Sequence, residues 1–321
     1  MGGGLDAIVN LRGQDFLTVN WAQTWSDDDP GGLGLTDRGL GRVRLERRGL
    51  DGASLDMAVS RVGSRYDPQL GFLRRQDFTR IGDALGWGWR ASDASSIQRT
   101  RLILNGVAYF RNDGFTMESL DLGPEWSLRM KSTRQWNASA KVREERVLDA
   151  FSISGAPIPA GEYRWVEGRL AHTQPSGALL RGTIALEGGQ FYDGTRLGLS
   201  VSPTWNASRH LELNGLYSAS RISFDDRAGT GERTTLQVAR LRARVFLSGA
   251  LSTAFFAQYT SASDLLTLNA RLRYNRREGQ DFYLVYNDGV NTDREAFNPA
   301  LPMSAGQTLL IKYSHAVPIG W

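Results

Sequence analysis

Apolar and polar residues alternate with a period of two through most of this chain. Between positions 119 and 131, Leu120, Leu122, Pro124, Trp126, Leu128 and Met130 alternate with Ser119, Asp121, Glu125, Ser127, Arg129 and Lys131. Successive side chains of a strand project to opposite faces, so this segment carries one apolar face and one charged face. The same holds for Ala239, Leu241, Ala243, Val245 and Leu247 against Arg240, Arg242 and Arg244. It holds again for Leu266, Leu268, Ala270, Leu272 and Tyr274 against Thr267, Asn269, Arg271 and Arg273. The pattern predicts an all-β chain.

What separates the alternating runs narrows the class. Short turns are expected near 12–15, 47–52, 90–95, 132–135, 173–177, 206–209, 247–251 and 275–279. Between them fall longer, more polar connections at 26–37, 63–76, 144–162, 225–233 and 288–307. A soluble sandwich has no reason to sort its connections by length, whereas outer-membrane barrels join short periplasmic turns with longer external loops. The expectation is a single-domain antiparallel transmembrane β-barrel over 1–321, with about 16–18 strands, short periplasmic turns and longer extracellular loops. Counting segments gives about seventeen strand candidates, the first being "LDAIVNLR". Bacterial single-chain barrels have even strand numbers, so either that segment is not a barrel strand or an earlier strand precedes it. The abrupt start favours the C-terminal portion of a longer barrel protein.

Composition adjusts this picture without overturning it. Mean hydropathy is −0.35, which read naively suggests a soluble protein. No run reaches the roughly 18 apolar residues a membrane helix needs, but barrel strands bury only alternate residues in lipid. Gly at 36 and Trp at 9 suit tight turns and interfacial anchors. Cysteine is absent, which removes disulfides, thiol nucleophiles and cysteine–zinc sites together. The net charge of +4 comes from Arg residues spread evenly along the chain, a poor footprint for nucleic acid. "MGGGLDAIVN" has neither the charged nor the apolar region of a signal peptide.

The aromatic residues fall at strand ends. Trp87, Trp89, Trp136, Trp205, Tyr274 and Phe282 sit next to short turns, where an outward face would form a periplasmic aromatic girdle. Trp21, Trp25 and Tyr286 lie toward the opposite ends, where an outer girdle belongs.

Several stretches resemble a known group: "GGGLDAIVNLRGQDFLTVNWA", "YDPQLGFLRRQDF", "IPAGEYRW", "GGQFYDGTRLGLSVSPTWNASRHLELNGLYS", "FFAQYTSASDLLTLNARLRY" and "DFYLVYNDG". They are similar, in order and nearly from end to end, to bacterial outer-membrane proteins of unassigned function. In that family a family-nine-type carbohydrate-binding module precedes a large C-terminal barrel. The family's module and early barrel strands have no counterpart in this sequence, so the resemblance covers the later part of the barrel only. It implies an outer-membrane location in a Gram-negative bacterium and a link to carbohydrate. It also implies that the last strand, "LLIKYSHAVPIGW", ends on a signal for the barrel assembly machinery, Trp321. Leu309, Ile311 and Tyr313 would then face lipid and Lys312 and Ser314 the lumen. Pro318 and Ile319 depart from the usual pattern of such a strand.

The candidate sites follow from the two faces. Arg129, Arg240, Arg242, Arg244, Arg271 and Arg273 fall on the polar face and would line the lumen, where guanidinium groups attract anions and hydrogen-bond hydroxyls, carboxylates or phosphates. The competing expectation is that they pair with acids such as Asp121, Glu125, Glu46 and Glu212. Phe191, Tyr192 and Asp193 form a short loop whose aromatic and carboxylate groups suit sugar stacking, though a tight turn with an aromatic anchor explains them equally well. Asp27, Asp28 and Asp29 lack the regular spacing of a Ca²⁺ loop and read as a solvated loop or a divalent-bridged contact with lipopolysaccharide. His172, His210 and His315 show no metal-ligand spacing, and no G-x-S-x-G, phosphate loop or H-E-x-x-H occurs. No cofactor or metal is therefore expected.

The chain reads as an outer-membrane barrel serving as a pore or anchor for carbohydrate or other polymer. Its expected partners are outer-membrane lipid, lipopolysaccharide, the barrel assembly machinery and, as a candidate ligand, oligosaccharide. The rivals are a glycan-active outer-membrane hydrolase with its site among the long loops, and a structural or secretion barrel.

Overall fold

A computed structural model describes all residues except 1, 26–35, 69–70, 72, 74, 154–155, 225–231 and 317–321. The described residues form strands and no helix. In chain order these are β1 (Gly2–Arg12), β2 (Asp15–Thr24), β3 (Gly39–Arg47), β4 (Gly52–Val62), β5 (Phe78–Arg90), β6 (Ile97–Arg111), β7 (Met117–Met130), β8 (Gln135–Val147), β9 (Phe151–Ile153), β10 (Ala156–Ile158), β11 (Gly161–Thr173), β12 (Leu180–Phe191), β13 (Gly194–Ser208), β14 (Leu211–Phe224), β15 (Glu232–Phe246), β16 (Leu251–Thr260), β17 (Leu265–Arg277), β18 (Gln280–Asn291) and β19 (Ser304–His315). One antiparallel sheet holds 17 of them, in line with the strand count read from the alternation. The two exceptions, β9 and β10, pair only with each other in the connection after β8. The sequence expectation missed this hairpin, because three-residue strands are too short to show a period.

The chain divides into two compact units, Met1–Leu170 with Gly189–Thr195, and Ala171–Gly188 with Arg196–Trp321. In the first, β1 through β8 pair consecutively. Their register lines up Ala7, Val19, Val43, Val59, Ile81, Ala108 and Leu120 as cross-strand neighbours on the apolar face. In the second, β14 through β19 pair in the same consecutive way. In both units this apolar face is open: Val43, Val59, Leu102, Leu104, Leu197 and Leu241 are each exposed. Large buried side chains are correspondingly few, Phe224 and Ile158 being the fully buried examples.

The length sorting of the connections is looser than expected. Residues 112–116, 192–193 and 261–264 fall on the side assigned to long loops, yet they are as short as the turns on the other side. Each contains a non-glycine residue in the left-handed region, Phe115, Tyr192 and Asp264 with φ of 50°, 52° and 47°. Such a residue reverses the chain tightly, and Phe or Tyr there carries no turn signature in composition. Asp27, Asp28, Asp29 and Trp321 lie outside the described residues.

One strand breaks its own alternation. Arg80 and Asp83 form an ion pair, although side chains three apart in a regular strand point to opposite faces. The break centres on Gly82, where a Cβ would overlap the carbonyl oxygen of Gly106 on the neighbouring strand. Glycine in a strand interior marks such a close backbone approach. Replacing it should therefore disrupt pairing, whereas Gly41 has open space around its Cβ position. Gly82→Val is expected to abolish most of the folded fraction measured by circular dichroism after refolding, and Gly41→Val to leave it intact. Equal yields would refute the role given to Gly82.

The turn between β3 and β4 is tied by charge. The Asp51 carboxylate accepts from Arg99 Nε at 2.7 Å and from Arg90 Nη2 at 2.9 Å. These hydrogen bonds, Arg99 first, hold its carboxyl below the usual carboxylate range. A depressed carboxyl contributes stability above its unfolded value, about 3.9, and loses it as pH falls through the folded value. Wild type should thus exceed Asp51→Asn in thermal midpoint at pH 7 and lose that margin below about pH 4. A margin independent of pH would count against the pairing.

Candidate functional site

The polar face of the second unit gathers five of the six arginines singled out in the sequence. Alternation places Arg240, Arg242 and Arg244 on one face of β15, and Arg271 and Arg273 on the same face of β17. The register sets them in rows across the sheet. Glu212, Arg244, Ala254, Arg271 and Val285 are successive neighbours, as are Asn214, Arg242, Phe256, Asn269 and Asn287. A third row runs Leu216, Arg240, Gln258 and Thr267. Arg242 and Arg271 therefore lie on a diagonal, with Phe256 and Ala254 between them on β16 and Asn269 beside Arg271 on β17.

The arginines divide into paired and unpaired. Arg244 donates to Glu212 Oε1 at 3.2 Å, and that carboxylate also accepts from Asn214 Nδ2 at 2.8 Å. Arg273 donates to Asp281 Oδ1 at 2.7 Å, with Asn275 as a second donor at 3.0 Å. Its guanidinium also sits 5.9 Å from the ring centroid of Tyr283. Arg242 stands 5.6 Å over the Phe256 ring. Among the described residues, neither Arg240, Arg242 nor Arg271 has a carboxylate within ion-pair distance. All five guanidinium-bearing residues are exposed. Five donors per planar guanidinium, next to neutral amides and water, make this face a ready receptor for carboxylate, phosphate or sulfate oxygens.

Arg129 lies in the first unit. It faces Arg99 on β6 and Gln135 on β8, and it too lacks a carboxylate partner among the described residues. Two other polar-face arginines of this unit are paired, whereas Arg42 and Arg101 have no carboxylate within ion-pair distance among the described residues. Arg44 makes a two-pronged contact with Asp56 at 2.7 and 2.6 Å, and Arg143 reaches Glu167 at 3.0 Å. The rule of pairing with inward acids thus accounts for Arg44, Arg143, Arg244 and Arg273 and leaves Arg42, Arg101, Arg129, Arg240, Arg242 and Arg271 outside it.

Aromatic residues at the short-turn ends fall into rows on the apolar face. In the first unit Trp87, Leu102 and Trp126 are successive neighbours, and Trp89, Thr100, Leu128 and Trp136 form the next row toward the turns. Trp126 extends the set predicted from sequence, where it was read for its alternation alone. In the second unit Leu251, Tyr274, Phe282 and Tyr313 align, and Trp205 is exposed near the end of β13.

The loop residues Phe191, Tyr192 and Asp193 part company. Tyr192 enters a cluster with Trp165, Phe191, Tyr163 and Phe151, at centroid distances of 4.7, 4.9, 5.1 and 6.0 Å. Asp193 stays exposed at the turn. The Tyr192 hydroxyl donates to Glu145 Oε2 at 2.9 Å. Burial first, and then the Glu145 carboxylate, push its phenol well above the ordinary tyrosine range, so it remains a donor at any physiological pH. Trp165, the most buried ring of this cluster, is only 3% exposed and was not singled out from sequence. Its position in an alternating run matches that of many surface aromatics.

No group of three His, Cys, Asp or Glu able to hold a metal occurs among the described residues. His210 Nδ1 meets the Phe246 carbonyl at 2.7 Å, and His315 stacks near Tyr313. No protein-family model and no curated protein matches the chain.

The Tyr192–Glu145 contact can be tested alone. Tyr192→Phe keeps the ring packing and removes the donor, and should cost about 1.5 kcal/mol, the lower end for a hydrogen bond to a charged acceptor. The readout is the urea midpoint; an unchanged midpoint would show the hydroxyl to be idle.

Proposed function

We propose that this chain is a transmembrane β-barrel of the Gram-negative outer membrane, with the apolar face on lipid and the arginine-bearing face lining an anion-preferring lumen. The observation that carries this reading is the extended exposed apolar face of each unit. Soluble monomers rarely expose contiguous apolar patches beyond a few hundred Å². Here strand after strand presents Val, Leu and Trp on one side, including Val59, Leu85, Leu104, Leu122, Leu186 and Leu241, each exposed. Lipid is the cover that suits so extended a face, and tryptophan rows near the turns suit the membrane interface. Backbone groups in hydrocarbon must all be paired, so the proposal includes a strand partner for the second edge of β1 and of β19.

Within such a barrel the unpaired Arg240, Arg242 and Arg271 favour anions. Acidic saccharide or another polyanion is the cargo or tethered polymer that suits them best, consistent with the carbohydrate link implied by the family resemblance. The partners proposed are outer-membrane lipid, lipopolysaccharide and the barrel assembly machinery.

Reconstitution in planar bilayers tests the pore. Stepwise conductance with a reversal potential favouring Cl⁻ over K⁺ is expected. Arg240→Ala/Arg242→Ala/Arg271→Ala should shift that potential toward zero, because an arginine-lined pore owes its anion preference to those charges. Absence of any conductance would reject the pore, and an unchanged reversal potential would reject the role of the three arginines.

A further inference from the structure

On the polar face of the first unit, three arginines stand in one row on three successive strands. Arg90 on β5 is directly opposite Arg99 on β6, and Arg99 is directly opposite Arg129 on β7. Gln135 on β8 is the next neighbour in the row. Arg101 occupies the adjoining row, which runs Gly88, Arg101, Ser127 and Asn137. Like charges directly opposite one another disfavour a strand pair, so such a row gains from a compensating anion.

One half of the row has its anion. The Asp51 carboxylate accepts from Arg90 with one oxygen, at 2.9 and 3.1 Å, and from Arg99 with the other, at 2.7 Å. A Cβ at Gly88 would overlap the Leu50 carbonyl oxygen, so the turn that carries Asp51 lies tight against β5. β7 is two strand spacings from β5, roughly 10 Å, and Arg129 stands on that far side of the row.

The other half has none. Among the described residues, neither Arg101 nor Arg129 has a carboxylate within ion-pair distance. Arg101 donates from Nη2 to Ser54 Oγ at 3.3 Å, while its Nε is buried without an acceptor. A buried N–H without a partner is costly, and an incoming oxygen satisfies it. Glu125, on the next row of β7, lies opposite Ile103 and accepts from Asn105 at 3.4 Å. Beside the two guanidinium groups the register sets the Ser127 hydroxyl and the Gln135 and Asn137 amides, all of which can donate.

We infer that Arg101 and Arg129 bind a tetrahedral oxyanion, phosphate free or as a monoester, with Ser127 and Gln135 as further donors. Charge and shape both select it over a carboxylate. Two unpaired guanidinium groups match a doubly negative ligand, and a phosphate monoester carries about −1.5 to −2 at pH 7. Its oxygens point in several directions, so guanidinium groups from different strands and rows can each take one. The two coplanar oxygens of a carboxylate are already used up by one such pair at Asp51. The site needs neither a membrane nor a closed lumen, and it stands apart from the arginines of the second unit.

Calorimetry on the refolded full chain tests the site with inorganic phosphate, glucose 6-phosphate and acetate as probes. The better phosphate should bind at least about tenfold tighter than acetate, and which of the two it is tells a free ion from a monoester. Arg101→Gln/Arg129→Gln should weaken that binding by about tenfold or more. Gln135→Glu places a carboxylate opposite Arg129, as Asp51 serves Arg90 and Arg99. It should weaken phosphate by about tenfold as well, while its thermal midpoint without phosphate stays at or above that of wild type. Loss of binding in a chain that melts no lower cannot come from misfolding. Phosphate should raise the wild-type midpoint and raise that of either variant less. Equal affinity for phosphate and acetate, or phosphate binding unchanged in either variant, would overturn the site. A lower midpoint in Gln135→Glu would overturn the charge imbalance on which it rests.

Discussion

Pairing register governs everything else in this molecule, because a strand's two faces differ by one residue. A slip of a single position on β15 would carry Arg240, Arg242 and Arg244 to the side that Leu241 and Val245 now hold. Three kinds of contact resist it. Tight turns such as 209–210 and 278–279 fix the first pair of each hairpin. Cross-strand ion pairs, Arg47 with Asp15 at 2.7 Å among them, reward one alignment. Aromatic neighbours such as Tyr274 and Phe282 add to it. Each is modest alone, but all must shift together for a strand to slide.

The same register explains how much of the structure is legible in the amino-acid order. Alternation is a local signal, and it locates the sheet strands, the two faces and the arginine rows without any knowledge of partners. Departures from alternation are set by neighbours and are invisible to it. Asp83 shares a face with Arg80 only because Gly82 and Gly106 let two backbones close up. At Phe115 and Tyr192 the left-handed backbone is a property of the turn and not of the residue type, whereas Asp264 is of a type that tolerates it. The β9–β10 hairpin is too short for any period to appear.

Sites divide along the same line. Arg240, Arg242 and Arg271 are candidates from parity alone, but which arginines remain unpaired depends on which row an acid occupies. Glu212 falls in the row of Arg244, and Asp281 lies within reach of Arg273. Arg99 and Arg129 are polar-face residues by parity, whereas their direct opposition needs the cross-strand register. The residues that bring chemistry to a site are therefore readable, and their convergence is not.

The unpaired arginines carry a further implication about what maintains them. An exposed ion pair contributes roughly 0–1 kcal/mol, so the fold gains little from pairing Arg244 or Arg273 and loses little by leaving Arg240, Arg242 and Arg271 unpaired. Like charges on adjacent rows repel weakly in water and salt, with screening over about 8–10 Å. Stability alone is then nearly indifferent to the sign of these side chains, and glutamine would serve the polar face as well. A bias toward unpaired guanidinium groups on neighbouring rows has its physical consequence outside the protein, in the concentration of anions drawn to that face. The chemistry of the face is accordingly better explained by what it meets than by what holds it together.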